Sequence, residues 1–237
     1  RTAGDVRLVD PGAARELFPP LADGYHGLHI AGGARVDGRA LRTGLLEAAA
    51  AHGATRVEAR AELTDDGAVT VDGTALPADA IVVAAGAWTD RVLRPLGVRA
   101  RVEPQRGQLV HLRVDADTRS WPSVHPVAPH YLVAFDAGRI VAGATRETGS
   151  GFDARVTAAG ERQVLDDALA LAPGLAGASV IETRVGLRPL PEGGLPTVGP
   201  VDGRPGIYVS AGFGAGGLTM GPLVGDLLAE RVVAECG

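Results

Sequence analysis

The sequence contains no lysine and no asparagine, and all 23 of its basic residues are arginine. Pyridoxal chemistry, which needs a lysine amine, and a phosphate-binding P-loop, which needs a lysine at the phosphates, are thereby excluded. Cysteine occurs once, as Cys236, so the chain offers no intramolecular disulfide, thiolate zinc site or iron–sulfur cluster. A reducing, cytoplasmic setting is the expectation. No apolar run reaches the roughly 18 residues of a helical membrane span, and no basic start leads into an apolar stretch as in a signal peptide. Positive charge is not clustered: 28 acidic residues face 23 basic ones for a net charge of -5, which argues against a nucleic-acid partner. What is abundant is Ala, Gly, Arg, Val and Asp, the bias of a GC-rich bacterial genome.

With 237 residues, 46% of them apolar, the chain is long enough for one large unit or two smaller ones around a substantial core. Asp10 as N-cap, Pro11 behind it and Pro19-Pro20 beyond predict a short helix ending at Phe18. Strands broken by Gly32-Gly33 are expected over 25–36. A helix over 37–52 follows, with Leu41, Leu45, Leu46 and Ala49 on one face and Gly53 ending it. Strands are expected over 55–63, 68–71 and 81–85, the first two joined by a turn at Asp65-Asp66-Gly67. The continuously apolar 81–85 reads as a strand at a sheet centre. A short helix is expected over 88–96 and a second sheet over 98–143. Beyond these come a helix over 157–172 and a strand over 180–185. The tail reads as a strand (206–211), a glycine-rich turn (212–217) and an amphipathic helix (218–233).

Gly212, Gly214 and Gly217 match G-x-G-x-x-G between a predicted strand and a predicted helix. A dinucleotide site also needs a second parallel strand and an acidic residue about 20 positions on, and the sequence has no room for them before Gly237. What the turn does offer is close backbone approach to a flat ligand and unpaired N–H groups at a helix start. A turn needing glycine only for its dihedral angles is the alternative.

Four stretches in order carry a resemblance: 36–41 (VDGRAL), 82–88 (VVAAGAW), 104–108 (PQRGQ) and 186–189 (GLRP) with the 212–217 turn. Together they resemble the FAD-dependent D-amino-acid oxidase, glycine oxidase and sarcosine oxidase superfamily. The resemblance spans the chain but only the later two-thirds of a family member. The N-terminal strand, turn and helix for the FAD pyrophosphate lie outside it, and Arg1-Thr2-Ala3 lacks an initiator methionine. A fragment is therefore expected, one that needs the missing N-terminal segment as partner to hold FAD well. The implied fold is mixed α/β: a partial, layered FAD-binding domain over 36–97 and 199–237, and a substrate domain over 1–35 and 98–198 with a large, mostly antiparallel sheet. The flavin would lie between them.

In such enzymes the arginine of G-L-R-P, here Arg188, clamps the substrate carboxylate, and a fixed guanidinium suits that role. Tyr131 matches a tyrosine that adds a hydrogen bond to the carboxylate. Arg146 matches a residue near the flavin face, serving either an acidic substrate side chain or negative charge on oxygen. Cofactor contacts are expected from Leu63, Ala85, Gly86, Trp88 and Gly186, and from Gly212, Phe213, Gly214, Ala215, Gly216, Gly217, Leu218 and Thr219. Ala215 stands where glycine oxidases hold an arginine. No cysteine lies near the ring, so the FAD is expected to be non-covalent. The histidines His26, His29, His52, His111, His125 and His130 form no metal set. The reading is an enzyme oxidising the CH–NH bond of an amino acid or secondary amine to an imine. The alternative is a cofactor-free remnant acting as a binding or assembly module.

Overall fold

A computed structural model describes residues 4–236; the start at Arg1-Thr2-Ala3 lies outside them. In chain order the elements are β1 (Val6–Val9), α1 (Pro11–Leu17), β2 (Gly27–Ile30), α2 (Gly38–Ala51), β3 (Ala61–Leu63), β4 (Val69–Val71), β5 (Thr74–Leu76) and β6 (Ile81–Val83). Then follow α3 (Thr89–Leu93), flanked by single 3-10 turns, β7 (Val102–Arg113), β8 (Tyr131–Ala134), β9 (Arg139–Gly143), β10 (Glu147–Thr148) and α4 (Ala158–Leu171). The chain closes with β11 (Ser179–Pro191), β12 (Thr197–Pro200), β13 (Ile207–Ala211) and α5 (Gly217–Cys236). The fold is mixed α/β, and the chain divides into two compact units.

The first unit comprises residues 4–35, 106–147 and 153–186 of the described chain. Its sheet runs β10-β7-β9-β8 with β11 also pairing β7, and the β7–β9 and β8–β9 ladders are antiparallel. Alternate residues Val110 and Leu112 of β7, Leu132 and Ala134 of β8, and Ile140 and Ala142 of β9 point into one core. That is the period-two pattern of strands with one face packed. Val164, Ala168 and Leu171 of α4 meet them at helical spacing, and Phe18 and Leu21 complete the cluster. Asp10 is the cap expected, accepting from the Ala13 N–H at 2.9 Å, and Thr157, read as the first helical residue, is the cap of α4, accepting from the Gly160 N–H at 3.2 Å.

The second unit comprises residues 36–105, 148–152 and 187–236. Residues 98–105, 148–152 and 187–198, read from sequence as part of the substrate domain, cluster here. Its sheets are β12-β13-β6 and β3-β4-β5. Ile207, Val209 and Ala211 of β13 pack with Leu63, Val83, Leu93 and Leu96. Asp37 caps α2, accepting from the Arg39 and Ala40 N–H groups, and Gly53 follows the helix with φ +91°. Two expectations are corrected. Of the 55–63 strand only Ala61–Leu63 forms, because the alternation upstream belongs to the exposed ion pairs Arg56–Glu58 and Arg60–Glu62 and not to a half-buried face. And β6 pairs only β13 among the described residues, so it is an edge strand and Val82 is exposed.

Candidate functional site

In the second unit β13 and β6 run parallel, with Ile207 opposite Ile81 and Val209 opposite Val83. The segments that leave their carboxyl ends therefore lie at one sheet edge, the place where open α/β sheets receive ligands. After β6 comes Ala85-Gly86-Ala87-Trp88, a 3-10 turn without a side-chain cap, in which Gly86 has φ +53°. After β13 comes the 212–217 turn. Gly212 (φ +81°) and Gly214 (φ +53°) need glycine for conformation. Gly212 is also hemmed in, since a Cβ there would lie 3.2 Å from Pro191 and 3.4 Å from Val102. By contrast a Cβ at Gly86 would meet nothing within 4 Å and one at Gly214 or Gly217 nothing nearer than 3.8 Å, while one at Gly216 would lie 2.7 Å from Met220 Cε; Gly186, equally open, lies on β11 in the first unit.

The turn at Gly214–Gly216 likewise has no side-chain cap and leads directly into the 20-residue α5. Uncapped N–H groups, the positive end of a long helix and open glycine faces together fit an electron-rich, planar ligand edge. Phe213, Gly216 and Gly217 are half-buried, and Ala215, Leu218 and Thr219 are exposed along this rim. Trp88, also exposed, packs against Phe152 with the rings tilted by 40° and their centroids 5.4 Å apart, and the Arg91 guanidinium sits 3.5 Å above the same Phe152 ring. Leu63 is different: at 5% exposure it belongs to the core, so its contribution to this edge is packing. Arg188 is half-buried on β11 in this unit.

Tyr131 and Arg146 belong to the first unit. Tyr131 opposes Gly143 across the β8–β9 ladder, and its ring lies over that glycine: a Cβ on Gly143 would be 3.0 Å from the phenol oxygen. Neither the Tyr131 hydroxyl nor the exposed Arg146 guanidinium has a partner among the described residues. Around Arg146 lies a polar network whose centre, Glu147, sequence reasoning missed. Glu147 accepts from Arg106 Nη2 (2.6 Å) and Nε (2.9 Å), Gln108 Nε2 (2.6 Å) and Thr145 Oγ1 (2.6 Å). Burial pushes its carboxyl up, but the hydrogen bonds from Gln108, Thr145 and Arg106 outweigh it and hold the group below its ordinary range. Arg106 also reaches Asp153 at 2.8 Å, and Gln108 Oε1 accepts from the Thr157 N–H at 2.8 Å. The available signal was the 104–108 motif, which places Arg106 and Gln108 two residues apart on one strand.

A cavity of about 620 Å³ in the first unit is lined by Tyr25, His26, His29, Arg35, Trp121 and His125, among others. Among the described residues no group of His, Cys, Asp and Glu is placed to hold a metal ion, and no helix is long and apolar enough to cross a membrane. Cys236 is exposed at the end of α5.

A family model for FAD dependent oxidoreductases (DAO) matches residues 1–231. The chain belongs to this family. Its cofactor is FAD, bound non-covalently. The chain is 49% identical to the uncharacterized oxidoreductase YurR of Bacillus subtilis (strain 168), covering 98% of this chain and 64% of that protein. With the glycine oxidase of Pseudomonas putida (strain KT2440) it shares 33% identity, over 96% of this chain and 66% of that one. Among solved structures it resembles the iminodiacetate oxidase IdaA of Chelativorans sp. BNC1 (TM-score 0.95, 47% identity, 98% of this chain and 64% of that one). It also resembles the glycine oxidase of Geobacillus kaustophilus (TM-score 0.87, 30% identity, again 98% and 64%). The chain thus spans slightly less than two-thirds of YurR and of both solved structures. The DAO oxidoreductase identified from the four sequence stretches is the family found.

Proposed function

We propose that this chain is the larger part of a FAD-dependent enzyme that oxidises the CH–NH bond of an amino acid or secondary amine. The observation that carries the reading is the open glycine rim at the carboxyl ends of β6 and β13, with the uncapped start of α5 beside it. FAD supplies the electron acceptor. The carbon next to nitrogen loses a hydride with both electrons of its C–H bond, the nitrogen loses its proton, and water hydrolyses the resulting imine to a carbonyl compound and an amine. The chain's own side chains then have binding and orientation to do. Arg188 is assigned the substrate carboxylate through paired charge-assisted hydrogen bonds, Tyr131 a hydrogen bond to substrate, and the first-turn N–H groups of α5 the electron-rich edge of the ring. The names of the relatives, glycine oxidase and iminodiacetate oxidase, support an amine that carries a carboxylate.

A further segment of the family fold, the one that grips the FAD pyrophosphate, is proposed to cover the apolar faces that α2 and α5 leave open. The 237-residue chain by itself is accordingly expected to lose FAD during gel filtration. The reading is tested by incubating the FAD-loaded full-length protein with glycine, sarcosine and iminodiacetate and trapping the carbonyl product as its hydrazone. A carbonyl product, glyoxylate or (from the sarcosine methyl) formaldehyde, is expected from at least one of them; neither from any, with FAD retained, overturns it.

A further inference from the structure

The cavity of about 620 Å³ lies wholly within the first unit, and its walls are fixed by the fold itself. Its floor is core: Val9 of β1, Phe18 and Leu21 just beyond α1, and Leu171 at the end of α4 line it and are each at most 8% exposed. One wall is the 119–126 segment, which is tied down twice. Arg35 donates from Nη1 to the Trp121 carbonyl and from Nη2 to the Arg119 carbonyl, both at 2.8 Å. Val124 exchanges main-chain hydrogen bonds of 2.8 and 2.9 Å with Leu132 of β8. Between these ties the Trp121 ring meets Phe18 at 5.1 Å, the planes tilted by 60°. A space with such walls needs little ordering to receive a ligand, and its volume is in the range of small-molecule sites.

The charge of the lining gives the ligand its sign. None of the lining residues is acidic, in a chain with 28 acidic residues against 23 basic ones. The one full charge is Arg35, whose two hydrogen bonds go to neutral carbonyls, and no carboxylate pairs with it among the described residues. A guanidinium has five N–H donors, so those two bonds leave it donors as well as charge. Ser120, Ser123 and the imidazoles of His26, His29 and His125 are the other polar side chains besides Tyr25, and His29 Nδ1 is buried without a hydrogen-bond partner. A guanidinium with no anion of its own, set among aromatic and aliphatic walls, suits a ligand that is apolar at one end and anionic at the other.

We propose that this cavity binds a small organic acid, with an aromatic or other apolar body against Phe18 and Trp121 and a carboxylate at Arg35. The site is independent of the amine-oxidising reading, since every residue it uses lies in the first unit and none is assigned to that reaction.

The test uses the FAD-loaded full-length protein, titrated by calorimetry with 1-naphthylacetate and with 1-naphthylacetamide, which keeps the shape and removes the charge. The parent is expected to bind the acid at least about 10-fold more tightly than the amide, a preference that falls to within about twofold in Arg35→Met and is partly kept in Arg35→Lys. Ser123→Trp, which leaves Arg35 in place and fills the cavity from the 119–126 wall, is expected to weaken both ligands roughly 10-fold or more. Arg188→Ala is expected to bind both as the parent does. The parent ratio and Ser123→Trp decide the matter should Arg35→Met fail to fold. Equal binding of acid and amide by the parent, an acid preference that survives Arg35→Met, or undiminished binding by Ser123→Trp overturns the proposal. So does loss of the acid in Arg188→Ala, which would put the carboxylate at the arginine assigned to substrate. Absence of binding by the parent overturns it too, and would mean that further protein fills the space.

Discussion

The two units spend their apolar residues differently. In the first, α4 buries Gly160, Val164, Ala168 and Leu171, and Arg106, Gln108 and Thr145 are engaged around Glu147. In the second, α2 buries no residue and α5 buries only Leu228 of its 20. Leu45, Leu218, Leu223, Leu227 and Val233 are each more than half exposed there. A helix or sheet that leaves its apolar face open is unfinished as a layer. The contrast lies in the helices: α4 of the first unit is packed on its sheet, although β1 and β2 there expose Leu8 and Leu28, whereas α2 and α5 of the second unit leave their apolar faces open.

The contrast is broken or sharpened most strongly at Arg188. Arg188→Ala in the FAD-loaded enzyme is expected to lose about 2 to 4 kcal/mol of transition-state binding, roughly 30- to 1000-fold in kcat/KM. Steady-state kinetics on a carboxylated amine measures it, and an unchanged value would leave Arg188 a structural residue. Next is Gly160→Ala in α4. Its Cβ would lie 2.0 Å from Gln108 Nε2 and 2.5 Å from Gln108 Cδ, and Gln108 is buried and fully committed. A loss of about 1 to 3 kcal/mol is expected in urea unfolding. Stability within error of the parent would mean that the network yields easily and that α4 is loosely packed.

Acid gives a third, graded test. The folded state holds the Glu147 carboxyl below its ordinary range, so the unfolded chain takes up the proton first. The stabilisation is complete above the ordinary carboxylate range and is lost as pH falls through the depressed folded value. Asp153, lowered mainly by its hydrogen bond from Arg155 and further by Arg106, acts in the same direction. Urea midpoints across an acidic series should fall, and should fall less steeply in Glu147→Gln. The smallest effect is expected at Leu223→Glu, on the 63% exposed side chain of α5: within about 0.5 kcal/mol in the 237-residue chain. In the full-length protein the same change should cost clearly more.

Much of this was legible in the sequence where a single residue imposes local geometry. Asp10, Asp37 and Thr157 marked helix starts, and Gly53 marked an end, because capping and left-handed backbone act within one turn. The 212–217 rim was legible for the same reason. The 55–60 stretch was misread because alternating charge imitates a strand pattern when its ion pairs are two residues apart. The Glu147 network was invisible because it joins Arg106 and Gln108 to partners 39 to 49 residues away, and only the folded sheet brings them together. Arg146 was picked out by resemblance alone; its unpaired charge emerges only once Glu147 and Asp153 are seen to be occupied.

The central claim is that this family member passes electrons from a carboxylated amine to its flavin. It is tested most directly by anaerobic mixing of the FAD-loaded full-length protein with sarcosine and iminodiacetate while the visible flavin absorption is followed. The account predicts bleaching by at least one of the two and its slowing in Arg188→Ala. A flavin that stays oxidised with both amines, yet is readily bleached by dithionite, would contradict it.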